Sequence, residues 1–248
     1  MSGVMLITGG SRGIGAATAR LAGQRGYTVC VNYVSAREAA EQVVKDIESE
    51  GGKALAVQAN VAKADDVERL FETCDKDLGT LSALVNNAGI LEKQMRLEDM
   101  DAGRIDRIFA TNVRGSFLCA REAVRRLSTK HGGKGGAIVN VSSAAARHGS
   151  PGEYIDYAAS KGSMDVMTLG LAKEVAGEGI RVNAVRPGII DTEIHATGGE
   201  PGRVARIGPT LPIGRGGTAE EVAEAILWLA SDAASYVTGT FIEVSGGR

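Results

Sequence analysis

Tyr157 and Lys161 lie four residues apart in the stretch DYAASKGSMDVM. If that stretch is helical, residues at this spacing share one face, so a phenol and an ammonium lie over one another. A free tyrosine titrates near 10, too high for a base at neutral pH, and a neighbouring cation lowers that value by stabilising the phenolate. The pair proposes a proton-transfer centre in which the lysine tunes the tyrosine and does not itself carry the proton. Tyr154 is a rival phenol, but Ala158 stands four residues after it, so it lacks the cation.

Two further features belong with this pair. The apolar run AIVNVSS ends in Ser142 and Ser143 shortly upstream, and a hydroxyl at either place can hydrogen-bond a carbonyl or alcohol oxygen. Asn112, in FATNVRGSF, interrupts a long helical pattern with a mediocre helix former, as a residue does when its amide holds a water or a backbone group.

At the other end of the chain the run MLIT leads into TGGSRGIG and then into the helical pattern IGAATARLAGQRG. Gly9, Gly13 and Gly15 let the backbone turn sharply, admit a phosphate without a Cβ in the way, and pack helix against strand. The helix that opens at Ile14 offers unpaired N–H groups to a pyrophosphate, and Ser11 can add a hydroxyl. The same residues, Gly9 to Gly13, also fit the G-x-S-x-G elbow of hydrolases, with Ser11 as nucleophile. That elbow needs an oxyanion segment before it and an acid and a histidine after it, and only His131, His148 and His195 are present.

A phosphate cradle joined to a proton-transfer pair points to hydride chemistry on a dinucleotide. After the second apolar run, VCVNYVSARE, no carboxylate is placed to bind the 2′ and 3′ hydroxyls of an adenosine ribose; Asn32, Tyr33 and Ser35 stand there instead. Arg12 and Arg37 can bring cations to a 2′-phosphate, which favours NADP(H) and leaves NAD(H) possible. Scattered histidines and isolated cysteines offer no ligand set, so no metal is expected.

These groups must be held by a scaffold. Short apolar runs at Val4–Thr8, Thr28–Tyr33, Ala54–Ala59, Ala83–Asn86, Ala137–Ser142, Arg181–Arg186 and Thr240–Val244 read as strands, mostly without polar alternation. Helical patterns lie between them at Ile14–Arg25, Ala36–Glu50, Ala64–Leu78, Met100–Ser128, Glu153–Ala176 and Ala219–Ser231. Strict alternation predicts an α/β fold: one Rossmann-type, doubly wound parallel sheet of about seven strands with helices on both faces, in a single domain over 1–248. The segment 189–217 carries seven glycines and three prolines and cannot be one regular helix, which makes it the candidate substrate lid.

With 44% hydrophobic residues in 248, the chain can bury a full core. Its net charge of −2 and the lack of a basic stripe with aromatics argue against nucleic acid. No leader pattern or membrane-length apolar run appears, so a cytoplasmic protein with no membrane partner is expected. Cys30, Cys74 and Cys119 form no CxxC pair and read as small buried hydrophobes.

Taken together and in this order, the motifs resemble those of the short-chain dehydrogenase/reductase family over essentially the whole length. TGGSRGIG matches its cofactor turn, Asn86-Asn87-Ala88-Gly89 its NNAG motif, and Tyr157 to Lys161 its YxxxK. Arg186-Pro187-Gly188, followed by Ile190 and Thr192, matches the segment that in the family meets the nicotinamide and its carboxamide. The resemblance implies a tetrad of Asn112, Ser143, Tyr157 and Lys161, with Asn112 supporting a water relay and Asn60-Val61 flanking the adenine. Asn60 stands where many members have aspartate, and the segment from Ser143 to Tyr157 is one residue longer than usual; Ser143 is nearer the expected spacing than Ser142. It further implies a small carbonyl or alcohol substrate, such as a 3-oxoacyl thioester, a sugar or a small ketone, and a homo-oligomer, usually a tetramer. An intact tetrad argues against a non-catalytic NADP sensor. In the lid Arg203, Arg206 and Arg215 balance Asp191, Glu193 and Glu200, so charge does not choose a substrate. His148 and Glu153 read as part of a solvated loop.

Overall fold

In a computed structural model, which describes residues 3–248, the first apolar run forms strand β1 (Val4–Ile7), with all four residues buried. All four can be buried because the sheet is covered twice: Met5 and Ile7 pack into one core, Val4 and Leu6 into the other. In β2 (Thr28–Tyr33) the same division recurs, with Val29 and Val31 on the first side and Cys30 on the second. Dry surfaces on both faces explain strands that lack polar alternation.

The strands β3 (Lys53–Gln58), β4 (Leu81–Asn86), β5 (Gly136–Val141), β6 (Ile180–Pro187) and β7 (Phe241–Val244) complete the sheet, in the order β3-β2-β1-β4-β5-β6-β7. Every neighbouring pair is parallel. Parallel neighbours need crossovers, which the helices supply. In chain order these are α1 (Gly13–Gln24), α2 (Arg37–Ser49), α3 (Ala64–Asp77), α4 (Ala102–Phe109), α5 (Gly115–Leu127), α6 (Ala145–His148), α7 (Ile155–Val175), α8 (Ile194–Thr197), α9 (Arg203–Ile207) and α10 (Ala219–Ala230). Ala19 of α1, Val43 of α2 and Ile226 of α10 enter the first core; Phe71 of α3, Ala123 of α5 and Val175 of α7 enter the second. Of these, Val43, Ile226, Phe71 and Val175 each contribute about 1.5–3 kcal/mol by burial. The winding direction reverses between β1 and β4, and at such a point the crevice beyond the strands' carboxyl ends is left uncovered.

One sequence expectation changes. The pattern from Met100 to Ser128 is not one helix: Asp101 caps α4 by accepting the Arg104 N–H at 2.7 Å, and a π-helical turn, Ala110–Arg114, separates α4 from α5. The stretches on either side are both helical, so a pattern run across them reads as one helix. The segment 189–217 is indeed no single helix; α8 and α9 are short pieces within it. Other element ends move by two residues at most. Cys30, Cys74 and Cys119 are all buried, as expected. Among the described residues no helix is long and apolar enough to cross a membrane.

Candidate active site

A cleft of about 510 Å³ opens at the reversal point between β1 and β4. On one side it is built from the first turn, where Gly9 and Gly13 adopt left-handed φ values of 62° and 51°. A Cβ on Gly13 would stand 3.2 Å from the Thr192 methyl, and one on Gly9 3.0 Å from the Ala88 Cα. The opening turn of α1 has no side-chain cap and no acidic residue, unlike α10, where Thr218 and Glu221 form a capping box. The α1 donors are left available to an anion. The β4 end is tied to this turn: Asn87 Nδ2 donates to the Thr8 and Gly9 carbonyls at 2.9 and 3.0 Å, and the Thr8 hydroxyl accepts the Asn87 and Ala88 N–H groups at 3.0 Å.

Tyr157, Lys161 and Ser143 line the same cleft. Lys161 is 3% exposed, and its Nζ donates to the Val141 carbonyl at 2.7 Å while lying 5.6 Å from the Tyr157 ring centre. Burial pushes the Tyr157 phenol up to about 12, against a lowering hydrogen bond from Ser143. Burial also brings Lys161 down to about 8, with the Asp165 charge opposing it. The two serines separate clearly. Ser142 is turned away, donating to Asp165 at 2.6 Å and to the Lys161 carbonyl at 3.3 Å. Ser143 shares the Tyr157 side of the strand end.

Asn112 sits in the π turn, fully buried, behind the cleft and not on its wall. Its Oδ1 accepts the Ile90 N–H at 2.8 Å, and its Nδ2 donates to the Ile90 carbonyl at 3.1 Å and to the Ser160 hydroxyl at 3.0 Å. Ser160 donates in turn to the Tyr157 carbonyl at 2.7 Å. The expected interruption of the helix is therefore real, and what the amide holds is backbone.

Ser11, Arg12, Gly13, Ile14, Tyr33, Ser35, Asn60, Val61, Ala88, Gly89, Pro187, Gly188, Ile190 and Thr192 line the cleft with the residues above. Others differ from expectation. Gly15 does not line it, because a Cβ there would strike the Gly9 carbonyl at 2.3 Å; its part is packing. Asn32 lines it, but its side chain accepts the Gly9 N–H at 3.2 Å and donates to the Ala59 carbonyl at 2.9 Å, which ties the turn to β2. Arg12 lines the cleft, whereas Arg37 lies outside it, paired with Glu41 at 2.7 Å.

Tyr154 does have a cation after all: the Arg203 guanidinium, from the lid, lies 5.4 Å from its ring centre. Glu153 is not a free loop residue either, since it binds Arg203. His148, His195, Arg203 and Arg248 also line the cleft. Burial lowers both histidines, and His195 Nδ1 has no partner among the described residues while Nε2 contacts the Ile190 carbonyl at 2.8 Å. Spacing gives no hint of these contacts, because the Arg203–Glu153 partners lie fifty residues apart. No histidine bonds to Ser11 among the described residues, which removes the hydrolase constellation.

Comparison with known proteins agrees with this geometry. Residues 9–248 match a family model described as enoyl-(acyl carrier protein) reductase. The chain is 58% identical to the uncharacterized oxidoreductase YgfF of Escherichia coli, over 99% of both chains. It is 43% identical to a 3-oxoacyl-[acyl-carrier-protein] reductase of Synechocystis, covering 98% of this chain and 96% of the relative. A short-chain dehydrogenase of Burkholderia cenocepacia, solved in complex with NADP, superposes with a TM-score of 0.89 at 33% identity, covering 98% of this chain and 96% of that one. The chain is an oxidoreductase belonging to the short-chain dehydrogenase/reductase family.

Proposed function

We propose that this oxidoreductase uses NADP(H) to interconvert a carbonyl and a secondary alcohol, with Tyr157 as the proton-transfer group. The observation that carries the reading is Lys161 Nζ lying 5.6 Å from the Tyr157 ring centre, in the same cleft as an uncapped, glycine-built helix start. The first turn fits a dinucleotide: Cβ atoms at Gly9 and Gly13 would fill it, and Arg12 stands free of ion pairs among the described residues. Gly9 to Ile14 would hold the pyrophosphate, Arg12 with Tyr33 and Ser35 the 2′-phosphate, Asn60 and Val61 the adenine, and Pro187 to Thr192 the nicotinamide. When bound, the dinucleotide supplies or accepts the hydride.

The chain's own residues manage the oxygen. Ser143 donates a hydrogen bond to it, and Tyr157 gives it a proton during reduction or takes one during oxidation. Lys161 stabilises the phenolate and anchors the ribose. Asn112 is a positioning residue, fixing the Ile90 loop and, through Ser160, the Tyr157 backbone. The chain acts as one domain over 1–248, with 189–217 as its lid. The protein works in the cytoplasm as a homotetramer built through α4, α5, α7 and β7, a reading supported by the exposed Phe117, Val166 and Leu169; a monomer by light scattering would contradict it.

A 3-oxoacyl thioester is the first substrate to test, by likeness to the Synechocystis relative. NADPH and NADH oxidation would be followed against 3-oxoacyl thioesters, sugars, small ketones and a trans-2-enoyl thioester. The reading expects reduction of a carbonyl with NADPH preferred. Reduction of the enoyl compound alone would overturn it.

A further inference from the structure

The short strap that leads into α7 and the first turn of that helix are fastened by two arginines from different elements. Asp156 binds Arg104 of α4 at 2.7 and 3.2 Å, and its Oδ1 also accepts the Tyr157 N–H at 2.9 Å. Glu153 binds Arg203 of α9 through both carboxylate oxygens, at 3.0 and 2.6 Å. Arg203 also donates to Glu200 at 2.8 Å, and its guanidinium covers the Tyr154 ring, whose hydroxyl donates to the Gly198 carbonyl at 3.1 Å. Lid and strap are thus joined by ion pair, ring and hydroxyl.

The two fastenings differ in access to water. Both side chains of the Arg104–Asp156 pair are 2% exposed, so breaking it would strand a charge in the core. In the other pair Arg203 is 6% exposed but Glu153 is 32% exposed, so its carboxylate can be rehydrated when the lid lifts. The first pair is a fixed anchor, and the second can open. Gly198 fits this arrangement, since a Cβ there would stand 2.8 Å from the Tyr154 hydroxyl and 3.0 Å from Leu91 Cδ2.

We propose that Arg203 is a positioning residue: clamped on Glu153 and Tyr154, it closes the lid over the substrate end of the cleft and sets the start of α7, from which Tyr157 projects. This rests on the reading of 189–217 as a substrate lid. The charged partners of Arg203 are Glu153 and Glu200, not the α1 turn, so dinucleotide binding is independent of the clamp. Reaction geometry is not, because a displacement of about 1 Å at a reacting group can cost about a hundredfold in rate.

The test compares Arg203→Met, Arg203→Lys, Glu153→Gln and Gly198→Ala by NADPH titration, by kcat and KM for the carbonyl substrate, and by hydrogen exchange of peptides covering 150–157 and 194–207. Arg203→Met is expected to raise KM about tenfold or more, lower kcat less, and speed exchange in both peptides, with NADPH affinity unchanged. Arg203→Lys recovers part of the loss, since it keeps the charge but not the bidentate fork. Gly198→Ala reproduces the effect without touching a charge. Wild-type KM with unchanged exchange in Arg203→Met overturns the proposal, and so does loss of NADPH affinity in parallel with KM, which would mean general unfolding. If the wild type reduces no carbonyl, faster exchange with intact NADPH binding keeps the clamp and rejects the carbonyl reading, whereas unchanged exchange rejects the clamp itself.

Discussion

Lys161 shows how burial alone can prepare a group. Its ordinary value of 10.5 falls to about 8 because the charged form loses water, although Asp165 pulls the other way. Between those values the unfolded chain still holds a proton that the native chain has released, so this residue makes stability rise with pH across that window. Urea midpoints from pH 7.5 to 10 should show that rise in the wild type, and Lys161→Met should flatten it; parallel curves would contradict the burial argument. The two serines give a second test. Ser143→Ala should lower turnover by about 10²–10³ by removing a donor to the developing oxyanion. Ser142→Ala should leave turnover near wild type and cost about 1–3 kcal/mol in stability, because Asp165 loses a buried donor. Sequence spacing made both serines candidates and preferred Ser143 narrowly. Their partners differ in a way spacing does not reveal: Ser142 is turned to Asp165.

At the scale of elements, positioning depends on joints between helices and strand ends. Asp156→Asn or Arg104→Met breaks a buried ion pair between α4 and α7, and thermal or urea unfolding should show a loss of about 3–5 kcal/mol. Gly15→Ala should disturb the first turn, since its Cβ would strike the Gly9 carbonyl, and titration should show NADPH affinity falling more than stability. The glycine turn was legible because strand, turn and helix are contiguous in sequence. The break in the long helix was legible only as one poor helix former, Asn112. Its cause, an amide bonded to both the N–H and the carbonyl of Ile90, involves a loop twenty-two residues away that no local pattern reveals. Asn32 is a similar case: it lines the cleft where expected, and its amide meets the Gly9 N–H and the Ala59 carbonyl, partners that no local pattern reveals.

Over the whole molecule, alternating strands and helices made the doubly wound sheet legible, since strands without polar alternation require cover on both faces. The cleft follows from that topology, because the reversal between β1 and β4 leaves the crevice open. The lid's attachments were not legible, because Arg203 and Glu153 meet only after the sheet has brought residues fifty apart together. We propose that one end of the cleft binds a dinucleotide while Tyr157 moves a proton at the other, and Tyr157→Phe separates the two. At about 100 times its Kd, NADPH should stabilise wild type and variant alike by about 2.7 kcal/mol, read as a rise in Tm. Turnover of the carbonyl substrate should fall by about 10²–10⁴ in the variant. A variant that keeps near-wild-type turnover, or that loses its NADPH stabilisation together with its activity, would contradict the account.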